Sequence, residues 1–423
     1  MELLLFSLMV AAFMIGCFRF KLPVSISLVI SSILGLIASG NGFSIRHLVE
    51  GTFGYMDAIL IIATAMIFMK VVQDSGALNA LSNGIIKKFY KNPAILLILL
   101  MFIVMFPGMI TGSSTAAVLT AGTLVAPVLI MMGIPKETAA AIIAIGGMMG
   151  MIAPPVNVPV MIIGGGVDMP YSGFTLPLIF MSVPIAIFSV LFLGHKYVKN
   201  LDYDELSQKI DFERKDNKGI LIYFPILLVI TLMIGGKVFP GIIPNLGMPL
   251  IFLIGSFVGM FTGRKINYIK ASKEAVNDAL PVLGILMGVG MFIQVMTLTG
   301  VRGFIVVSGL SLPAILLYIS IAVSIPLFGA VSSYGSASVL GVPFLLALLS
   351  KDQIVTAAGL SLIASTGDLM PPTALAGLFA AQVVKAESYI PVLKKCIVPA
   401  GVIVVFGLVS IIFANQLQPF LVL

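Results

Sequence analysis

The sequence predicts an all-α polytopic membrane protein built as an inverted repeat, with five spans and one re-entrant hairpin in each half. Three observations carry that expectation. Apolar residues make up 59% of the 423 positions and charged residues only 10%, against roughly 25% charge in soluble domains, and mean hydropathy is +1.16. The apolar runs are continuous and helix-length rather than alternating, which favours closed helices over a β-barrel in lipid. The one long polar stretch, His195–Lys218, cuts the chain near its middle, and segments that precede it recur after it.

The elements follow in order. MELLLFSLMVAAFMIGCFRF lacks a basic n-region and a small-residue cleavage site, so residues 2–18 read as a retained first span rather than a signal peptide. Further spans fall near 24–40, 57–75, 136–165 (interrupted) and 176–194. Between the third and fourth lie two apolar arms, 94–110 and 116–131. At about 16 residues and 1.5 Å per residue, neither arm comfortably crosses ~30 Å of hydrocarbon. Their junction, TGSST (Thr111–Thr115), is small and polar, as a re-entrant tip should be.

The second half repeats the plan, with spans near 219–239, 248–262, 279–299, 351–383 (interrupted) and 394–414. Its hairpin arms are about 312–330 and 337–350, around the tip VSSYGS (Val331–Ser336). Arg46–Gly76 resembles Lys270–Gly300 at an offset of about 224, and IAPPVNVP (Ile152–Pro159) answers LMPPTALA (Leu369–Ala376) at 217. The expected organisation is therefore a first repeat over 1–194 (hairpin ~94–131, broken span ~136–165), a cytoplasmic linker over 195–218, and a second repeat over 219–423 (hairpin ~312–350, broken span ~351–383).

Five spans per half reverse the orientation of the second half. With the N-terminus outside, nineteen Lys and Arg fall on the inner side and four (Arg46, Lys237, Arg302, Lys351) outside, as the positive-inside rule requires. Both termini are then expected outside. The same rule accounts for the net charge of +7, so no nucleic-acid partner is implied. Cys17, Cys396, His47 and His195 stand apart from one another, which gives neither a disulfide framework nor a zinc site. Walker A, GxSxG and HExxH motifs are absent. The chain reads as no enzyme, and any uphill work must draw on an ion gradient.

Two features recur once per half: a polar hairpin tip and a span broken by Pro-Pro. The first pair is Gly112-Ser113-Ser114-Thr115 with Ala153-Pro154-Pro155-Val156-Asn157. The second is Ser332-Ser333-Tyr334-Gly335-Ser336 with Ser365-Thr366-Gly367-Asp368 and Pro371-Pro372-Thr373. Proline inside a helix removes a hydrogen bond at about 3 kcal/mol, and the freed carbonyls are tolerated at membrane depth only inside protein or beside water. Carbonyls, serine hydroxyls and an Asn side chain form a hard oxygen set suited to a small cation such as Na⁺. Half-helix N-termini at the breaks suit a carboxylate. Asp368, an acid beside a break, reads either as a functional group, a Na⁺ ligand or a proton carrier, or as a helix cap. Asp168 reads as a loop residue. Lys70, inside a span, reads as snorkelling or paired.

The stretches MELLLFSLMVAAFMIGCFRFKLPVSISLVISSILGL, FPGMITGSS, ETAAAIIAIGGMMGMIAPPVNVPVMIIGG and MPPTALAGLFAA resemble the large membrane subunit of tripartite ATP-independent periplasmic (TRAP) transporters, over essentially the whole chain. That subunit belongs to the wider ion-transporter superfamily. The resemblance implies a Na⁺-coupled carrier of small organic anions, C4-dicarboxylates among them, in the bacterial cytoplasmic (inner) membrane. It implies an elevator mechanism, in which a transport domain carrying both hairpins and both broken spans moves against a scaffold. It also implies two partners, a small four-helix membrane subunit and an extracytoplasmic substrate-binding protein. By position, the Na⁺ ligands would come from Gly112, Ser114, Pro154, Asn157, Ser332, Ser336, Thr366 and Asp368, and the substrate contacts from Ser113, Ser114, Thr115, Asn157, Ser333 and Thr373. The family more often has an acid in the second tip, whereas here the acid is Asp368. That departure leaves open a standalone homodimeric symporter of the same superfamily, proton-coupled through Asp368.

Overall fold

The computed structural model describes residues 1–198, 219–238, 244 and 246–422. Residues 199–218 of the expected linker, and the basic residues among them, lie outside the described residues. Everything described is helix, turn or irregular, with no strand.

Seven helices among the described residues are long and apolar enough to cross a bilayer, and five shorter apolar helices accompany them. The helices sort into two packed groups. A flanking group contains Glu2–Phe18, Val24–Ala38, Met56–Asp74, Phe224–Val238, Met248–Thr262 and Tyr268–Leu298. A central group contains two hairpins, two interrupted helices and the helices Thr175–Gly194 and Tyr389–Ile412.

Each interruption follows from its Pro-Pro pair. Lys136–Ile152 stops before Pro154-Pro155 and the chain resumes as Val158–Gly165. Gln353–Ser365 tightens into a 3₁₀ turn, Thr366–Leu369, passes Pro371-Pro372 and resumes as Leu375–Val383. Proline lacks the amide proton that an α-helix needs at an interior position, so the two segments cannot join. The hairpin arms are Pro93–Thr111 and Ser114–Met131 in one half, and Ala314–Gly329 and Ser333–Ala347 in the other. Each returning arm holds a π-helical turn, Val118–Gly122 and Ala337–Gly341. Pro107 and Pro326, Ser113 and Ser332, and Gly122 and Gly341 occupy equivalent places in the two hairpins, each pair 219 positions apart.

Glycine lets hairpin and interrupted helix touch backbone to backbone. A Cβ on Gly150 would lie 2.4 Å from the Met105 carbonyl oxygen, and one on Gly329 would lie 2.5 Å from the Gly367 Cα. The equivalent crossing in each half thus excludes any side chain.

Four features depart from the sequence expectation. The arms of the first hairpin run 19 and 18 residues rather than about 16, because the helix begins at Pro93, a favoured first helical residue, and the return includes the π turn. Two connecting helices, Ala77–Phe89 and Val301–Ser311, stand where no element was expected, each entered through a left-handed glycine, Gly76 and Gly300. A short amphipathic helix, Ile45–Phe53, precedes the third span; there the Arg46 hydrogen bond holds the Glu50 carboxyl below its ordinary range. The helix expected over 279–299 begins at Tyr268, since the Asn267 side chain accepts the Lys270 amide at 3.1 Å and caps an earlier turn.

Among the described residues, polar ties between the two groups are few. The buried Tyr55 hydroxyl donates to the Ile162 carbonyl at 2.8 Å, with its ring against Gly165. Arg302, on the connecting helix Val301–Ser311, reaches Asp168 beyond the first interrupted helix at 3.5 Å.

Candidate functional site

Both hairpin tips end inside the protein rather than at its surface: Ser114, Ser333 and Ser336 are buried. Each tip turns because a serine caps the returning helix. The Ser113 hydroxyl accepts the Ala116 amide at 3.2 Å, and the Ser332 hydroxyl accepts the Tyr334 amide at 3.2 Å. Those caps leave the following serines free to point elsewhere.

Ser114 and Ser333 point at the same carboxylate. The Ser114 hydroxyl donates to Asp368 Oδ2, and Ser333 of the other tip lies beside the same carboxylate. Asp368 is only 4% exposed, in the 3₁₀ turn that ends the helix before the second Pro-Pro pair. An intramembrane carboxylate with only hydroxyl partners is costly and marks function by default. Beside it, the Tyr334 hydroxyl donates to the Gly112 carbonyl at 2.8 Å, joining one tip to the other. The Thr373 hydroxyl donates to Ala330 at 2.9 Å, tying the second break to its own hairpin.

The other expected residues are placed differently. Asn157 is fully buried and its side chain is committed to the first break. Its Oδ1 caps the Val160 amide at 2.9 Å, and its Nδ2 donates to Ile152 O at 2.8 Å and Ser361 Oγ at 3.2 Å. None of these bonds goes to a tip. Tyr171 completes the turn, accepting the Asn157 amide at 3.1 Å and donating to Pro155 O at 2.9 Å; Pro154 is buried in the same turn. Thr366 donates to Ile363 O at 2.6 Å and Ser336 to Ser333 O at 3.4 Å, so their hydroxyl protons are spent locally while their oxygens keep a lone pair. Gly112 offers a carbonyl already bonded to Tyr334.

Ser113 and Thr115 face a crevice between the first hairpin and the flanking helices Met56–Asp74 and Tyr268–Leu298. Beside the tip the crevice holds about 570 Å³, and a further cavity of about 630 Å³ continues it toward Arg264, Lys265 and Lys270, sharing Lys70, Gln73 and Thr120. Lys70 is paired, at 2.9 Å to Glu274 and 3.6 Å to Asp74. Sequence reasoning assigned no role to Tyr334, Ser361, Tyr171, Asn277 or Asp278. Only Tyr334 carried a signal, as an aromatic hydroxyl inside a tip of small residues.

No three His, Cys, Asp or Glu side chains converge among the described residues. Hydroxyl and carbonyl oxygens around one carboxylate fit a hard monovalent cation better than a transition metal.

The family described as "Tripartite ATP-independent periplasmic transporter, DctM component" matches residues 10–417. Two solved structures share the fold. The YdaH transporter of Alcanivorax borkumensis, reported to have an unusual topology, is 15% identical with a TM-score of 0.59, over 89% of this chain and 88% of its own. MtrF of Neisseria gonorrhoeae, reported to illuminate a class of antimetabolite efflux pumps, is 13% identical with a TM-score of 0.62, over 90% and 85%. No curated protein matches the chain by sequence.

Proposed function

The chain belongs to the DctM family of tripartite ATP-independent periplasmic transporters, and from that premise we propose that it is the large permease subunit of a Na⁺-coupled secondary transporter for a small organic anion. The observation that supports the reading is the convergence of two tips and one break on Asp368: hydroxyls from both hairpins meet a single buried carboxylate. A cation entering there would gain one full charge and several oxygen dipoles inside a medium poor in water. The crevice beside Ser113 and Thr115 offers the adjoining place for the anion, and its mouth carries Arg264, Lys265 and Lys270.

The central group would carry the site and move as a unit against the flanking group, an elevator motion. The sparse polar ties between the groups favour such sliding, since few bonds must break. A small membrane subunit and an extracytoplasmic binding protein would complete the system in the bacterial inner membrane. The proton-coupled reading is favoured by one observation, that among the described residues no basic side chain is bonded to Asp368.

Thermal unfolding of purified protein in NaCl and in choline chloride at equal ionic strength tests the ion. Specific stabilisation by Na⁺ that is lost in Ser114→Ala is the expected result. Equal stability in both salts would overturn sodium coupling at this site.

A further inference from the structure

The crevice beside the first tip has an uneven charge distribution that bears on what it accepts. One wall is the hairpin, presenting Thr111, Ser113 and Thr115. The facing wall carries the only two charged side chains that line the inner cavity, Lys70 on Met56–Asp74 and Asp278 on Tyr268–Leu298. Lys70 is already neutralised twice over, by Glu274 and Asp74. Asp278 lies one helical turn deeper than Glu274 along the same helix, four residues on, and so on the same face. It is exposed to the cavity and has neither ion pair nor hydrogen bond among the described residues.

Of the two charges that line the inner cavity, Lys70 is thus already paired, which leaves Asp278 as its one unpaired charge among the described residues. A substrate bearing only carboxylates would sit opposite an unneutralised aspartate, where reduced dielectric strengthens the repulsion. Unpaired carboxylates at membrane depth mark substrate or ion pathways. A substrate that brings its own cation removes the conflict. We propose that this crevice takes a carboxylate that also carries a protonated amino group, with Asp278 receiving the ammonium and the hydroxyls of Ser113 and Thr115 receiving the carboxylate. The proposal rests on the organic-acid transporter reading above and narrows its substrate class to zwitterionic acids.

Matched pairs that differ only in ammonium against hydroxyl test it: L-aspartate with L-malate, L-glutamate with L-2-hydroxyglutarate, and L-alanine with L-lactate. Binding to the purified full chain in NaCl is read by thermal shift. At least one amino member should bind tenfold or more tighter than its hydroxy partner. Asp278→Asn should bring that ratio to within about twofold, while Asp278→Glu should keep it. Asp278 is exposed, so the asparagine variant should fold as the parent does, and a preserved unfolding midpoint without ligand confirms that it has. A hydroxy acid bound in preference to its amino partner overturns this inference and leaves the organic-acid reading standing. An amino preference unchanged in Asp278→Asn also overturns it. Binding of neither member of any pair overturns both.

Discussion

The Ser114 hydroxyl donates to the Asp368 carboxylate across 254 residues of sequence, so a hairpin tip from one half of the chain is held by the broken helix of the other. The two tips also meet directly, where the Tyr334 hydroxyl donates to the Gly112 carbonyl. A change at either position should therefore be felt in both halves.

Ser114→Ala should weaken the Na⁺ dependence of uptake and leave the fold nearly intact. A lost hydroxyl partner to a buried charge costs about 1.5–3 kcal/mol, or at least tenfold in apparent Na⁺ affinity. Asn157→Ala should behave differently, because its bonds cap a helix and bridge to Ser361; loss of the cap alone costs about 1 kcal/mol. It should lower the unfolding midpoint more than Ser114→Ala does. Equal loss of Na⁺ affinity with unchanged stability in both would place Asn157 among the ion ligands after all.

Asp368→Asn separates three roles when uptake is followed across a range of pH and Na⁺ concentration. A permanent ion ligand gives reduced Na⁺ affinity at every pH. A proton carrier gives a flat pH profile with the Na⁺ response intact. A structural cap gives neither, since Asn and Asp cap helices about equally. The first outcome is expected, because the carboxylate accepts the hydroxyl of a hairpin tip, Ser114, and no backbone amide of the following helix is bonded to it among the described residues.

Tyr55→Phe should speed exchange between conformations. The Tyr55–Ile162 bond ties the flanking group to the central one, and Ile162 O also accepts the Gly166 amide at 3.1 Å, so no buried acceptor is orphaned. Removing one such bond is worth about 1 kcal/mol, roughly fivefold in rate if the bond breaks before the transition state. Fluorescence transfer between a label on each group measures it. A lower unfolding midpoint with an unchanged exchange rate would show the bond to be purely structural.

Gly150→Ala should fail where Gly401→Ala succeeds. The first places a methyl 2.4 Å from a backbone oxygen that cannot move alone, whereas the second meets nothing within 4 Å. Overpacking costs about 1–3 kcal/mol or more, against a gain of roughly 0.5–1 kcal/mol for alanine in an open helix position. Unfolding midpoints of the two variants in one detergent should fall on opposite sides of the parent.

The fold class was legible because its signal is local. Continuous apolar runs announce membrane helices, and Pro154-Pro155 and Pro371-Pro372 mark helix ends that no neighbour can repair. The connecting helices Ala77–Phe89 and Val301–Ser311 were missed because they are short and moderately polar, and their glycine entries read as loop. At the site, the tips and Asp368 were recognisable from residue type beside a break. Their mutual bonding was not, since a contact 254 residues apart has no periodicity to betray it. Asn157 shows the converse: its chemistry suits an ion, yet the helix that starts at Val158 leaves the Val160 amide free, and that amide claims the oxygen. Lys70 reads from the sequence as snorkelling or paired, and its partner Glu274 is visible only when two distant helices are set side by side.

Three of the bonds that cross between the halves lie at the tips and breaks, Ser114 to Asp368, Tyr334 to Gly112 and Asn157 to Ser361, and they have a consequence for exchange between relatives. Neither half owns a complete site. A change at Asp368 is judged by the serine it meets at Ser114. The two halves are thus coauthors of one pocket, and a graft that takes one half from a relative inherits half a sentence. Transplanting specificity between such proteins requires moving both tips and both breaks together.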